Sequence, residues 1–204
     1  MLKTSDIERV LRTILDPEMP INIVDLGLIE DVRVERAGEE RHAGTQARRH
    51  GGREARRHAG TEEEQARVAI DVTPTFVGCP ALRMIEDMIC EQVSDLPGVA
   101  NVTVNFINDP PWSVERISEA GRAALRPFGV TVPPTGSVCG AADAPSDAPG
   151  AAVPLTVSGS PRAVACPFCG SESTHMESPF GPTRCKMIYY CDACRNTFEH
   201  LKPV

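Results

Sequence analysis

The placement of cysteine constrains this chain most. Five of its eight cysteines, Cys166, Cys169, Cys185, Cys191 and Cys194, fall in the last 39 of 204 residues, while Cys79, Cys90 and Cys139 are scattered before them. Cys166-Pro167-Phe168-Cys169 and Cys191-Asp192-Ala193-Cys194 are C-x2-C pairs separated by 21 residues. Each pair puts two thiolates on one tight turn, where backbone N–H groups bond to sulfur, and two facing turns make a tetrahedral four-thiolate site. A segment of about 40 residues is too small to hold itself with an apolar core, so metal supplies much of its folding energy. The spacing predicts a zinc ribbon. A four-thiolate iron site is the rival, because spacing alone does not choose the metal. Four thiolates close the coordination sphere, which points to a structural rather than a catalytic ion.

Upstream, the pattern is that of a small α/β (α+β) domain with a short mixed sheet and three helices. Ser5 followed by Glu8 reads as a capping box, and Ile7, Val10, Leu11, Ile14 and Leu15 form one helical stripe that Asp16-Pro17 ends. Leu28 to Arg36 and Arg67 to Phe76 alternate as strands and are expected to pair as a hairpin. Gly78-Cys79-Pro80 leads into a helix carrying Leu82, Ile85, Met88, Ile89 and Val93 on its buried side. Asn101 to Ile107 is a third strand, and Trp112-Ser113 turns the chain into a third helix with Val114, Ile117, Ala120, Ala124 and Leu125. The expected division is residues 1–130 for this domain, 131–162 for a linker rich in Pro, Ala, Gly and Ser, and 163–204 for the ribbon.

Residues 37–65 interrupt the hairpin. Arg41-His42-Ala43-Gly44-Thr45 recurs as Arg57-His58-Ala59-Gly60-Thr61, among side chains too small or too polar to bury a core. The stretch reads as a low-complexity surface insertion; its arginines also suit a basic arm, although glutamates run among them. The formal charge of -7 excludes a chain-wide basic nucleic-acid binder. No apolar run reaches the ~18 residues of a membrane span, and no secretory pattern opens the chain, so the expected location is cytoplasmic, with neither membrane nor nucleic acid as partner.

Cys79 stands between a strand and a helix start. The free N–H groups and dipole there favour a thiolate that attacks, coordinates a soft metal or holds a cluster iron; the bland reading is an inert turn cysteine. Asp16 and Glu18 flank a proline and either bind a hard metal, act as acid and base, or merely set a turn. Cys185, beside Lys186, is a packed thiol, a substitute ligand or a redox thiol. Cys90 belongs with the core. His175 and His200 read first as surface residues, with replacement of a ribbon ligand as the alternative. A thiol enzyme built on Cys79 lacks a base nearby, since none of the five histidines falls between residues 70 and 130.

Asp16-Pro17-Glu18, Val24-Asp25-Leu26-Gly27, Thr73-Pro74-Thr75 with Gly78-Cys79-Pro80, and Pro111-Trp112 together resemble the SufT-like family of metal–sulfur cluster assembly factors. With the tail Phe180-Gly181-Pro182-Thr183-x-Cys185-Lys186-x-x-Tyr189-x-Cys191-x-x-Cys194, the chain is similar to one branch, the accessory subunits of the phenylacetyl-CoA epoxidase system. The resemblance covers all but residues 37–65. It implies a cytoplasmic accessory protein of aerobic phenylacetate degradation that helps deliver iron or an iron–sulfur cluster to the epoxidase components, above all the iron–sulfur reductase subunit. It implies contact with the iron–sulfur assembly machinery; because one protomer's α/β domain offers too few thiols for a four-ligand cluster, binding across a homodimer is one expectation. A structural or regulatory subunit that carries no cluster is the other role it allows. By resemblance, Cys79, Asp16, Glu18 and Thr75 hold the transient iron or cluster, Cys166, Cys169, Cys191 and Cys194 hold structural zinc, and Cys139 and Cys185 are additional candidate thiols.

Overall fold

The computed structural model describes residues 2–36, 66–134 and 164–202. The readings that fall on residues 37–65, on 135–163 and on Cys139 lie outside them. The chain divides into two compact units, Met1–Leu125 and Arg126–Val204.

The first unit runs α1 (Thr4–Leu11), β1 (Ile29–Arg36), β2 (Ala66–Val72), α2 (Leu82–Ser94), β3 (Val99–Phe106) and α3 (Glu119–Leu125), with a 3-10 turn at Val114–Arg116. This is the expected order of helices and strands. β1 and β2 are antiparallel from Ile29↔Val72 to Arg36↔Ala66, and β2 and β3 are parallel, joined through α2. The sheet is therefore short and mixed. Along β2, Ala66, Val68, Ile70 and Val72 are buried, so the period-two alternation of the sequence sorts its faces. α1 packs on α2 and β1, and α2 on β3. Ile7, Leu11, Ile70, Ile85, Ile89 and Leu125 are essentially inaccessible. Asp71 is bonded to Arg33 at 2.7 Å and to Asn105 at 2.9 Å across the strands. The guanidinium, foremost among these partners, lowers the Asp71 pKa.

The N-terminal helix differs from its sequence reading at both ends. Asp6, not Ser5 with Glu8, supplies the cap: its carboxylate accepts the Lys3 N–H at 3.2 Å, and Ser5 lies inside the helix. The regular helix stops at Leu11, and Leu15 is 60% exposed and forms an isolated bridge with Asn22. The buried stripe is Ile7, Leu11 and Ile14. Residues 15–22 fold back on themselves instead, with the Asp16 N–H bonded to the Ile21 carbonyl at 2.9 Å.

The second unit is a four-stranded sheet in the order β4-β7-β6-β5, from β4 (Val130–Thr131), β5 (Thr174–Ser178), β6 (Lys186–Cys191) and β7 (Thr197–Leu201). Residues 126–131 fall in this unit, because β4 pairs in parallel with Glu199 and His200 of β7. Its buried cluster is Cys166, Tyr189, Cys191 and Phe198, with Val164, Met187 and Cys194 against it. The small α+β domain followed by a ribbon is thus the observed class.

Candidate functional site

The antiparallel pairing of β1 and β2 decides which loops meet. The loop before β1 carries Asp16 and Glu18, and the loop after β2 carries Thr75 and Cys79. Because Ile29 pairs with Val72, both loops leave the same end of the sheet. The Thr73 N–H bonds the Leu28 carbonyl at 2.7 Å and clamps them together. The Arg36↔Ala66 pair closes the opposite end of the hairpin.

Within this loop pair the Cys79 Sγ lies 3.7 Å from Glu18 Oε2, with the thiol donating to the carboxylate. Asp16 accepts the Glu18 N–H at 2.8 Å and so fixes the turn that presents Glu18. Thr75 is half-buried on the Cys79 loop. α2 starts at Leu82, with Ala81 as its cap residue, so Cys79 sits three residues ahead of the helix rather than in its first turn. Pro80 and Ala81 use up the intervening turn, and a carboxylate faces the sulfur. One soft and one hard donor side by side can take a borderline metal such as iron while leaving most of its coordination sphere open.

A polar network behind these loops explains motifs that the sequence offered only as resemblance. Asp25 accepts from Asn22 Nδ2 at 2.6 Å, Ser118 Oγ at 2.9 Å and Arg12 Nη1 at 3.2 Å, and the Asn22 amide, foremost among them, helps hold its pKa below the ordinary carboxylate value. Trp112, buried, donates its indole N–H to the Leu26 carbonyl at 3.0 Å. Gly27 has φ +77°, and a Cβ there would stand 2.5 Å from the Arg116 carbonyl oxygen, so only glycine fits. Val24-Asp25-Leu26-Gly27 and Pro111-Trp112 therefore brace the Glu18 loop against the segment entering α3. Asn22, three residues before Asp25, was the available local signal, since Asx side chains bond backbone N–H groups two or three residues on; its partner Ser118, 93 residues from Asp25, had none.

In the second unit the ligand atoms of Cys166, Cys169, Cys191 and Cys194 lie within 4.8 Å of one another. Cys166 and Cys194 sulfurs are 3.6 Å apart, as are those of Cys169 and Cys191. A tetrahedral ion with metal–sulfur bonds of about 2.3 Å needs sulfurs separated by roughly 3.8 Å, so the donor set fits a four-thiolate metal. The N–H of Asn196 is the main reason that the Cys194 thiol is lowered to about 6, as expected of a metal-binding turn. This unit is a metal-binding ribbon in which two of the four ligand thiols, Cys166 and Cys191, also belong to the buried core.

The remaining candidates separate by environment. Cys185 is buried with its sulfur 3.2 Å from Thr183 Oγ1, outside the four-thiol set, and Lys186 reaches Glu199 at 2.8 Å. Cys90 is half-buried on α2, and burial first, then Glu86 and Asp87, push its thiol up to about 11, a poor nucleophile. His175 is exposed, as read from sequence. His200 is not: it is 7% exposed, bonded to Thr131 Oγ1 at 2.8 Å, and burial pushes its pKa down to about 4. The β4–β7 pairing buries it, and that pairing had no local signal. No described helix is long and apolar enough to cross a membrane.

The family description "Iron-sulfur cluster assembly protein" matches residues 4–39 and 60–105, and "PaaD zinc beta ribbon domain" matches residues 150–202. The D component of the "Putative 1,2-phenylacetyl-CoA epoxidase" of Escherichia coli (strain K12) is 30% identical over 97% of this chain and 91% of its own length. A Porphyromonas gingivalis Fe-S protein maturation auxiliary factor is 30% identical over 59% of this chain and 88% of its own. A crystal structure of a domain of unknown function, DUF59, from Bacillus anthracis matches at 28% identity with a TM-score of 0.42, covering 59% of this chain and 89% of that one. The chain belongs to the PaaD family of phenylacetyl-CoA epoxidase components, in which an iron–sulfur cluster assembly domain is joined to a zinc β-ribbon.

Proposed function

We propose that this protein is an accessory maturation factor of the phenylacetyl-CoA epoxidase system, and that it performs no oxygenation itself. Iron or an iron–sulfur cluster is its cargo, held transiently at Cys79 with Glu18, in a pocket shaped by Asp16 and Thr75. The clients are the epoxidase components, first among them the iron–sulfur reductase subunit, and the source is the assembly machinery. Cys166, Cys169, Cys191 and Cys194 hold zinc for structure. The reading is carried by the 3.7 Å approach of the Cys79 thiol to Glu18, which pairs two donor types in one loop site. One protomer's loop pair offers too few thiols for a four-ligand cluster, so thiols of the client complete the ligand set during handover.

Anaerobic reconstitution of the parent and Cys79→Ser, with iron, sulfide and zinc measured, tests the site. Tightly held zinc is expected in both proteins and a labile cluster only in the parent. Equal cluster loading would remove Cys79 from the mechanism. Cluster content of the reductase component from cells lacking this protein tests the client: normal content would end that assignment.

A further inference from the structure

The first unit carries its exposed large apolar side chains on the segments that flank the Cys79–Glu18 site. Among its described residues, the large apolar side chains that stand exposed are Leu15 at 60%, Val77 at 71% and Met84 at 55%. Leu15 directly precedes the Asp16-Pro17-Glu18 turn, Val77 is two residues before Cys79, and Met84 is in the first turn of α2 just after it. At no more than about 3.6 Å of chain per residue, all three stand within roughly 20 Å of the Cys79 sulfur. Exposed apolar side chains confined to the segments around one site point to an interaction surface there, whereas ones spread singly over a domain do not.

The charge of the same segments selects the occupant. Asp16, Glu18, Glu86 and Asp87 stand there against Arg83. Arg12, at the end of α1, is bonded to Asp25 at 3.2 Å. A second copy placed face to face would bring like charge onto like charge, and an anionic membrane surface would be repelled. A basic protein surface with an apolar centre complements the patch.

We infer that Leu15, Val77 and Met84 form the docking face for the client, and that the client presents its cluster-binding thiols within a basic, apolar surface. This rests on the maturation reading above and adds the surface to it. Handover requires client sulfur within bonding distance of iron held at Cys79, so docking must take place over that thiol. In the exchange an iron–sulfur bond to Cys79 breaks as one to the client's sulfur forms. The client thiol gives up its proton, Cys79 takes one up, and no electrons change hands.

The test measures the Kd of the full-length protein for purified, cluster-free reductase component at low and high salt. Val77→Ser with Met84→Ser should weaken binding at least tenfold, with unchanged zinc content and unchanged cluster loading on reconstitution. Val77→Ile with Met84→Leu should bind like the parent. Asp87→Lys should weaken binding and flatten its salt dependence. Parent-like affinity in the serine variant overturns the docking face while leaving the maturation reading intact. Failure of the parent to bind the reductase also overturns it, and the reductase cluster content in cells lacking the protein then shows whether the maturation reading falls too. If the serine variant instead converts a dimer to a monomer, the face belongs to a second copy and the inference is wrong.

Discussion

The Met1–Leu125 unit buries Ile7, Leu11, Ile14, Ile23, Leu26, Leu28, Ile70, Ile85 and Ile89 almost completely, while the buried cluster of the ribbon is two aromatic rings and two thiols. Each aliphatic side chain contributes roughly 1.5–3 kcal/mol on burial, enough for the first unit to stand on the hydrophobic effect. The second unit has a far smaller reserve, with Val130 and Leu201 its buried aliphatic side chains among the described residues. Cys166 and Cys191 serve it twice, as core and as metal ligands. The comparison teaches why one chain can carry two sulfur sites without confusing them. Where sulfur is part of the core, a metal is bound up with folding; where sulfur sits on a loop beside a carboxylate, on a core complete without it, a metal held there would come and go without unfolding the unit.

The largest expected effect tests that contrast directly. Stripping the ribbon metal with a strong chelator, or Cys191→Ser, removes a contribution on the order of 10 kcal/mol. Hydrogen exchange should show β5, β6 and β7 unprotected while β1, β2 and β3 keep their protection. Loss of protection in both sheets would mean that the units do not fold independently. The converse perturbation is Ile89→Ala in α2, a fully buried site, expected to cost about 3 kcal/mol. Denaturant titration should locate that loss in the first unit, with bound metal per chain unchanged.

A smaller effect separates the units by pH. His200 has a pKa of about 4 in the fold, against an ordinary 6.5. The unfolded chain therefore binds the extra proton first, so the contribution is complete above pH 6.5 and is lost as pH falls toward 4. Its ceiling is roughly 3 kcal/mol. Ribbon stability measured from pH 7 to 4 should fall less steeply in His200→Gln than in the parent; equal slopes would show that thiol protonation alone governs the acid response. The smallest effect lies at Thr73, fully buried with a hydroxyl that has no hydrogen-bond partner among the described residues. Thr73→Val should leave the first unit as stable or up to about 1 kcal/mol more stable by thermal denaturation. A clear loss would reveal a bond that this hydroxyl makes.

Much of the fold was legible because its signals are local and repeated. The alternation of β2, the helical stripe of Ile85, Ile89 and Val93, and the two C-x2-C pairs each report a neighbourhood of a few residues. The departures sit where a local signal competed with another contact. Ser5 and Glu8 match a capping pattern, but Asp6 reaches the Lys3 N–H and starts the helix earlier. Leu15 completes a helical stripe on paper, yet the fold-back from Asp16 to Ile21 takes it out of the helix. His200 looks polar and near the chain end, but pairing with a strand some 70 residues away buries it.

By itself the sequence determined the order of elements and the four ribbon thiols, since residue type and short-range spacing carry that information. Cys79, 61 residues from Glu18, was joined to Asp16 and Glu18 only by the family resemblance of their motifs. Only the tertiary structure decided that Glu18 faces Cys79 at 3.7 Å, that Asp25 ties its loop to Ser118, and that Leu15, Val77 and Met84, on the segments around that pair, are exposed. The first of these depends on β1 pairing antiparallel to β2 across a long insertion. Strand register is a cooperative property of the sheet, fixed by the whole buried face rather than by any residue near the site.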